Sequence, residues 1–351
     1  GAGVVMFTTG LGSKSGTEKG ALLHYRRTFF LLLFGVFDAY VLLWTGDILI
    51  VYALAGAMLY PLRHAKPKTL ILLSISVLIC STMVFIASGS IMADARDASD
   101  RIESDPNGNH SQALLDEAAL WHDLENTVEY NETAVEEELE IRRGTYAQVA
   151  AYSAKDVNEK LLFFVPVFML WDAMGMMLLG MAMYRMGVLS GQGSRTLYSR
   201  MVAIGFGTGL LVNGYELYRA IASDFDALVI TGYFQGTYQF GRIGMAMGWL
   251  GLVMLLCQSQ LWLNTRHRLA AVGRSALSNY LLHSVICLVL FTGAGFGLVG
   301  TFERWALYVI VLFIWIFQLI LSPWWLNRYA FGPAEWLWRT LTYGKKQRWR
   351  L

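Results

Sequence analysis

Trp305-Ala306-Leu307-Tyr308-Val309-Ile310-Val311-Leu312-Phe313-Ile314-Trp315-Ile316-Phe317-Gln318-Leu319-Ile320-Leu321-Ser322-Pro323-Trp324-Trp325-Leu326 runs from position 305 to 326 without a charged residue. About 20 mostly apolar residues are what an α-helix needs to cross a bilayer, where only a helix or a closed barrel satisfies its own backbone polar groups. Seven further stretches of this kind precede it, at about 28–45, 47–62, 69–91, 161–184, 201–219, 231–258 and 275–298. The second is short and has to span with little tilt. Composition agrees, since 55% of the 351 residues are hydrophobic and 15% charged, against roughly 25% charged in a soluble domain. The expected fold is all-α: a polytopic membrane helix bundle with about eight transmembrane helices, a helical extracytoplasmic insertion and a C-terminal interfacial helix.

Charge placement orients the bundle. Lys14, Lys19, Arg26, Arg27, Arg63, Lys66, Lys68, Arg185, Arg195, Arg200, Arg266, Arg268, Arg274 and the tail from Arg328 to Arg350 fall on one side, 19 of the 28 basic residues. The positive-inside bias makes that side the cytoplasm. The opposite side receives residues 92–160, with 17 of the 26 acids and six bases. The chain therefore divides into 1–27, a helix remnant and cytoplasmic loop; 28–91, transmembrane helices 1–3; 92–160, the acidic insertion; 161–326, transmembrane helices 4–8; and 327–351, an interfacial helix and basic tail. The expected location is a membrane, with the C-terminus cytoplasmic and residues 92–160 on the opposite side. Gly1-Ala2-Gly3-Val4-Val5-Met6-Phe7 is apolar but too short to cross, and reads as the tail of a helix that begins upstream. No secretory signal pattern is visible.

Inside the insertion, Pro106-Asn107-Gly108-Asn109 signals a turn. Leu114, Leu115, Ala118, Ala119, Trp121 and Leu124 follow at helical spacing, and a second helix is expected through Val135, Leu139 and Ile141. Carboxylates at i, i+3 and i+4 share a helix face and suit a metal or a partner, but a solvated helical hairpin accounts for the same pattern. Asn131-Glu132-Thr133 and Asn109-His110-Ser111 fit the glycosylation acceptor triplet, which also arises by chance. Cys80, Cys257 and Cys287 lie in apolar spans without a partner at metal or redox spacing, so no metal site and no disulfide is expected. Gly175, Gly180, Gly205, Gly207, Gly209, Gly241, Gly244 and Gly248 lie in spans at spacings that let membrane helices approach closely.

Ionisable groups inside a bilayer are costly and mark functional sites. Asp38 is mid-span, Asp47 follows Trp44-Thr45-Gly46 at a tight outer turn, and Asp172, Glu216, Arg219 and Arg242 fall in later spans. Asn279 and His283 lie one turn apart on one face. Arg242 keeps its charge, so it is expected to pair with Asp172, Glu216 or Asp38, or to face a water-filled cavity. Asp47 also suits the N-terminus of the helix that follows it, and His283 suits either proton transfer or a hydrogen-bonded place in the core. The closing string Phe331-Gly332-Pro333-Ala334-Glu335-Trp336-Leu337-Trp338-Arg339 reads as a helix at the membrane surface, its indoles at the headgroups and Glu335 paired with Arg339.

Several of these strings together resemble the YeiB-like family, bacterial inner-membrane proteins defined by a domain of unknown function. They are Trp44-Thr45-Gly46-Asp47-Ile48-Leu49, then Met176-Met177-Leu178-Leu179-Gly180-Met181-Ala182, then Gly273-Arg274-Ser275-Ala276-Leu277-Ser278-Asn279-Tyr280-Leu281-Leu282-His283-Ser284, and finally the Gly332–Arg339 string. Members of that family usually carry histidine at the position of Asp38 and glutamine at that of His283, and begin with further spans. The resemblance implies kinship to transmembrane acyltransferases, which move an acyl group from cytoplasmic acyl-CoA to an acceptor across the membrane. On that analogy Asp47, His283 and Asp172 are the catalytic candidates. Arg242, Asn279, Glu216 and Arg274 then bind substrate, and Arg266 and Arg268 help Arg274 to attract the phosphates of acyl-CoA. The alternatives are an accessory subunit of a membrane complex and a small-solute transporter. Partners implied are the lipid bilayer and a homo-oligomer or membrane-protein partner, with no nucleic acid.

Overall fold

The computed structural model describes residues 1–12, 17–128 and 132–351. Lys14 and the first residue of the triplet Asn131-Glu132-Thr133 fall outside them. The described chain is an all-α bundle, 80% helical and without strands. Its helices are α1 (Ala2–Gly12), α2 (Thr17–Tyr40), α3 (Leu49–Leu59), α4 (Pro67–Ser104) and α5 (Gln112–Val128). Next come α6 (Glu132–Arg143), α7 (Tyr146–Glu159), α8 (Leu170–Arg185), α9 (Arg195–Ala222) and α10 (Ala227–Gly236). The last five are α11 (Tyr238–Gln258), α12 (Leu263–Arg274), α13 (Ala276–Phe291), α14 (Arg304–Leu326) and α15 (Pro333–Tyr343).

By length and composition, four helical runs among the described residues can cross a membrane: Pro67–Ser104, Tyr146–Arg185, Tyr238–Gln258 and Arg304–Leu326. A fifth is added if α12 and α13, bent by 78°, count as one span. This criterion leaves the expected count of eight open, and three features explain why single helices meet it less often. Helix α3 has 11 residues, hence a length of ~16 Å against a hydrocarbon core of ~30 Å. The stretch 231–258 is divided at Thr237 between α10 and α11. Arg266, Arg268 and Arg274, expected in a loop, form the helix α12. The two helices expected after the Pro106–Asn109 turn are α5 and α6.

The chain separates into two compact units. The first comprises Gly1–Ile71, Glu136–Arg185 and Gln260–Leu351. Here α2 and α3 pack side by side, and Ala39 and Ile50 meet Val157 of α7 in a buried cluster with Leu32, Tyr40 and Leu161 at its edge. Helices α7 and α8 belong to one 40-residue run whose middle, Lys160–Met169, is π-helical. Pro166 lies in that stretch. It has no N–H and its ring displaces the preceding carbonyl, so a wider turn accommodates it without breaking the helix. The Trp171 indole donates to the Pro166 carbonyl at 2.8 Å. Helix α7 also covers the α2–α3 turn, where the Tyr146 hydroxyl donates to the Val41 carbonyl at 2.8 Å and Lys160 Nζ reaches Thr45 Oγ1 at 3.5 Å. In α14 only 11% of the span is buried, and Trp305, Tyr308, Phe313 and Trp315 point outward, as lipid-facing residues do.

Two helix starts are clasped together in this unit. The Ser278 amide, in the first turn of α13, donates to Glu335 Oε1 at 3.0 Å, and the Ser278 hydroxyl donates to Glu335 Oε2. That hydroxyl oxygen accepts from the Ala334 amide, in the first turn of α15, at 3.0 Å. A carboxylate at a helix N-terminus satisfies orphan amides and complements the dipole. The expected Glu335–Arg339 pair gives way to this stronger use of Glu335, and Arg339 lies over the Phe331 ring instead, 4.4 Å from its centroid. The α15 indoles turn inward: Trp336 Nε1 donates to the Gln347 carbonyl and Trp338 Nε1 to the Arg27 carbonyl of α2.

The second unit comprises Leu72–Val135 and Met186–Ser259. Helices α9 and α11 are its tightest pair. A Cβ on Gly205 would lie 2.7 Å from the Gly244 carbonyl oxygen and 2.8 Å from Gly248 Cα, so backbone meets backbone, as small residues four apart allow. Gly205→Leu is expected to force the pair apart and destabilise the unit by about 3 kcal/mol, seen as a lower melting temperature in detergent. Gly207→Leu, where a Cβ meets nothing within 4 Å, is the control expected to leave it unchanged.

Arg96, beyond the apolar part of α4, pairs with Asp226 at 2.7 Å. Asp226 Oδ1 accepts from the Leu228 and Val229 amides at the start of α10. Burial alone would raise the Asp226 pKa. The hydrogen bonds from Arg96 and the two amides, with the Arg96 charge, outweigh it and hold the carboxyl below its usual range. A carboxyl whose pKa is depressed by folding stabilises the native state above its unfolded value of about 4, and that stability disappears as pH falls through the lower folded value. Arg96→Met is expected to weaken this acid-side loss of stability, measured as the difference in melting temperature between neutral pH and pH below about 4.

Candidate functional site

Asp38 lies in the last turn of α2, among apolar side chains that take it to 0% exposure. Ser284, Asp47 and Tyr280 are its polar neighbours, yet neither of its oxygens makes a hydrogen bond of good geometry. Asp47 arrives from the α2–α3 turn. Its Oδ2 accepts from the Ile50 amide at 2.8 Å, so the carboxylate does cap α3. Its Oδ1 accepts from the Tyr280 hydroxyl at 3.1 Å, and that hydroxyl oxygen accepts from the Ile48 amide at 3.2 Å. Gly35 makes room for this arrangement: a Cβ there would lie 2.7 Å from Asp47 Oδ2. The result is a pair of carboxyls walled by α2, α3 and α13, one tied down by α3 and α13 and one unsatisfied.

Helix α13 carries two polar faces. Tyr280 and Ser284, one turn apart, face the two aspartates. Asn279 and His283, also one turn apart, face Gln318 and Ser322 of α14. Gln318 Nε2 donates to His283 Nε2 at 2.8 Å and to the Asn279 carbonyl at 3.4 Å. Asn279 Nδ2 donates to Ser322 Oγ and to the Val272 carbonyl, each at 3.2 Å. A neutral imidazole that accepts at Nε2 carries its proton on Nδ1. His283 is thus hydrogen-bonded in the bundle beside α14, and its ring is bonded to Gln318 rather than to Asp47.

The remaining sequence candidates are dispersed. Asp172 sits half-buried in the first turn of α8 and is not among the neighbours of Asp38. Glu216 and Arg242 belong to the second unit. There Glu216 accepts from the Thr237 hydroxyl at the α10–α11 break. Arg242 donates to Gln239 Oε1 at 2.6 Å and stacks over Tyr238. Arg274 ends α12 and lines a separate cavity in the first unit. No trio of His, Cys, Asp or Glu gathers as metal ligands among the described residues. Sequence reasoning left Tyr280, Ser284, Gln318 and Ser322 out of the site. The signal was present, because each pair repeats at i, i+4 inside an otherwise apolar helix.

The fold and site thus define an all-helical protein of membrane-span character with acidic and amide groups sequestered in its helix bundle. Residues 183–345 match the family described as "Protein of unknown function (DUF418)", and the chain is similar to YeiB-like proteins. It is 36% identical over 176 residues to the uncharacterised protein YeiB of Escherichia coli (strain K12), covering 49% of this chain and 44% of YeiB. It is 27% identical over 330 residues to the uncharacterised protein YxaH of Bacillus subtilis (strain 168), covering 92% of this chain and 72% of YxaH. A 39.9 kDa uncharacterised protein of Bacillus acidopullulyticus is 34% identical over 113 residues, covering 30% of this chain and 32% of that protein. The match therefore takes in less than half the length of YeiB. No solved structure matches.

Proposed function

We propose that the chain is a membrane-embedded acyl-transfer enzyme whose acid–base centre is the Asp47–Asp38 pair with Tyr280. The observation that carries this reading is Asp38, a fully buried carboxyl beside a second one, without the hydrogen bonds a structural acid collects. In the proposed reaction Asp47 accepts a proton from an acceptor hydroxyl or amine, whose freed electron pair attacks the thioester carbonyl of acyl-CoA. The carbon–sulfur bond breaks, and the proton passes to the departing CoA thiolate. Tyr280 orients Asp47 by donating to Oδ1, and Asn279 and His283 brace α13 against α14. The donor is assigned by resemblance to transmembrane acyltransferases, and the cytoplasmic face of the topology above supplies it. The test is label transfer: proteoliposomes given acyl-CoA with a radiolabelled acyl group, in chain lengths from acetyl to palmitoyl, are expected to pass label to an added hydroxyl or amine acceptor. Label that stays on CoA with every donor refutes the reading.

A second reading, small-solute transport, draws on the 78° bend between α12 and α13 and the α10–α11 break, since interrupted helices are a feature of transporters. Uptake of a solute without chemical change, insensitive to acyl-CoA, would favour it.

A further inference from the structure

A cavity of about 410 Å³ in the first unit brings together Arg27 of α2, Arg274 of α12 and Arg339 of α15. Its size falls in the range of small-molecule sites. The Arg27 guanidinium lies between two aromatic faces, 4.7 Å from the Phe7 centroid and 4.2 Å from that of Trp338. Arg339, stacked on Phe331, is close enough for its charge to repel that of Arg27. Glu335 also lines the cavity, but its carboxylate is taken up by the Ser278 amide and hydroxyl. Among the described residues no ion pair engages any of the three arginines.

This arrangement is unfavourable as it stands. An arginine keeps its charge at any pH a protein survives, so three converging on one cavity repel one another. A carboxylate-rich wall would relieve that repulsion, and the cavity has none to spare. An anion that enters it would. Guanidinium forks match phosphate oxygens in pairs, and aromatic stacking holds Arg27 in place for that use.

We propose that this cavity binds a phosphate ester, held by Arg27, Arg274 and Arg339. The acyl-transfer reading gives Arg274 to the phosphates of acyl-CoA, but this inference requires no reaction, and phosphate-ester binding without acyl transfer leaves it standing while that reading fails. The ester is either that of a soluble nucleotide or that of an anionic phospholipid headgroup, and one experiment separates the two. The full chain is placed in phosphatidylcholine nanodiscs and titrated with ADP by calorimetry. In parallel, nanodiscs containing phosphatidic acid are assayed for lipid retained on the protein by native mass spectrometry. Binding is expected in at least one arm: ADP alone identifies a soluble ligand, and phosphatidic acid alone a headgroup. In that arm Arg339→Gln and Arg27→Gln each weaken binding about tenfold or more. Arg339→Lys, which keeps the charge and loses the fork, restores part of it. Arg339 is exposed, so its variants read out even if Arg27→Gln misfolds. The exposed Lys346 of the tail, outside the cavity, is the control, and Lys346→Gln leaves affinity unchanged. Absence of binding in both arms overturns the proposal. So does equal weakening by Lys346→Gln, which would reduce the effect to general surface charge.

Discussion

Asp38→Asn is expected to make the protein more stable and inactive. The wild-type carboxyl is fully buried and neither oxygen has a well-formed hydrogen bond. Burying a polar group without a partner costs about 1–3 kcal/mol, and more when the group carries charge. Asparagine keeps the shape, removes the charge, and places a donor beside Asp47 and Ser284. A purely structural residue would lose stability on replacement, so a gain of about 1–2 kcal/mol in chemical denaturation marks a position kept for another purpose. Acyl transfer by this variant is expected to fall by about 10²-fold or more, the usual effect of removing an acid–base group. Asp38→His, the residue that the resemblance to the YeiB-like family implies at this position, is expected to retain part of the activity. The opposite pattern, lower stability with unchanged turnover, would make Asp38 a packing residue.

Gly332→Leu is expected to be among the most destabilising single changes in the chain. The Gly332 backbone has φ −60°, a conformation open to any residue, so what the position requires is space. A Cβ there would lie 2.7 Å from Ser278 Oγ and 3.0 Å from Ser275 Cβ, and would collide with Glu335 Oε2. Those atoms are the clasp between α13 and α15, and none is a free side-chain tip able to swing away. Overpacking and the loss of two or three hydrogen bonds, one of them to a carboxylate, together amount to about 3–5 kcal/mol. Glu335→Ala, which removes the bonds without a clash, is expected to cost about 2 kcal/mol. Thermal melting of the two variants in one detergent checks both the order and the size. Because α13 also holds Tyr280 against Asp47, Gly332→Leu is expected to lose activity along with stability, which distinguishes it from Asp38→Asn.

The apolar runs made the helical class legible at once, since 22-residue stretches such as 305–326 leave the backbone no alternative in lipid. Helix length was harder to read. The stretch 47–62 looked long enough to span, but the α-helix closes at Leu59 and a 3₁₀ turn continues through His64, so local geometry shortened what composition suggested. Pro166 falls inside the stretch 161–184, and its π-helical accommodation depends on local geometry that composition does not carry. Asp38, Asp47, His283 and Asn279 were each visible as polar groups in apolar surroundings. Their pairings were not, because contacts such as Asp47–Tyr280 join residues 233 positions apart and depend on how α2, α3 and α13 meet. Gln318 shows the same limit within the opening string, where it is the most polar side chain and yet acquires meaning only when His283 is opposite it. The Gly332-Pro333-Ala334-Glu335 string was conspicuous as a family marker. Its physical content, a glycine for close approach, a proline opening the helix and a glutamate for Ser278, became legible only once α15 was seen against α13.

The most direct measurement is the rate at which proteoliposomes, supplied with a hydroxyl or amine acceptor, release free CoA thiol from acyl-CoA donors of acetyl to palmitoyl length, with wild type and Asp47→Asn compared in parallel. Asparagine retains one acceptor oxygen for the Ile50 amide, and its Nδ2 donates to the Tyr280 hydroxyl oxygen where Oδ1 had accepted from it, so the fold is expected to persist. Wild type is expected to release thiol in proportion to protein, and Asp47→Asn to do so about 10²-fold more slowly or not at all. Equal rates for the two, or no release by wild type, would contradict an acid–base centre at Asp47.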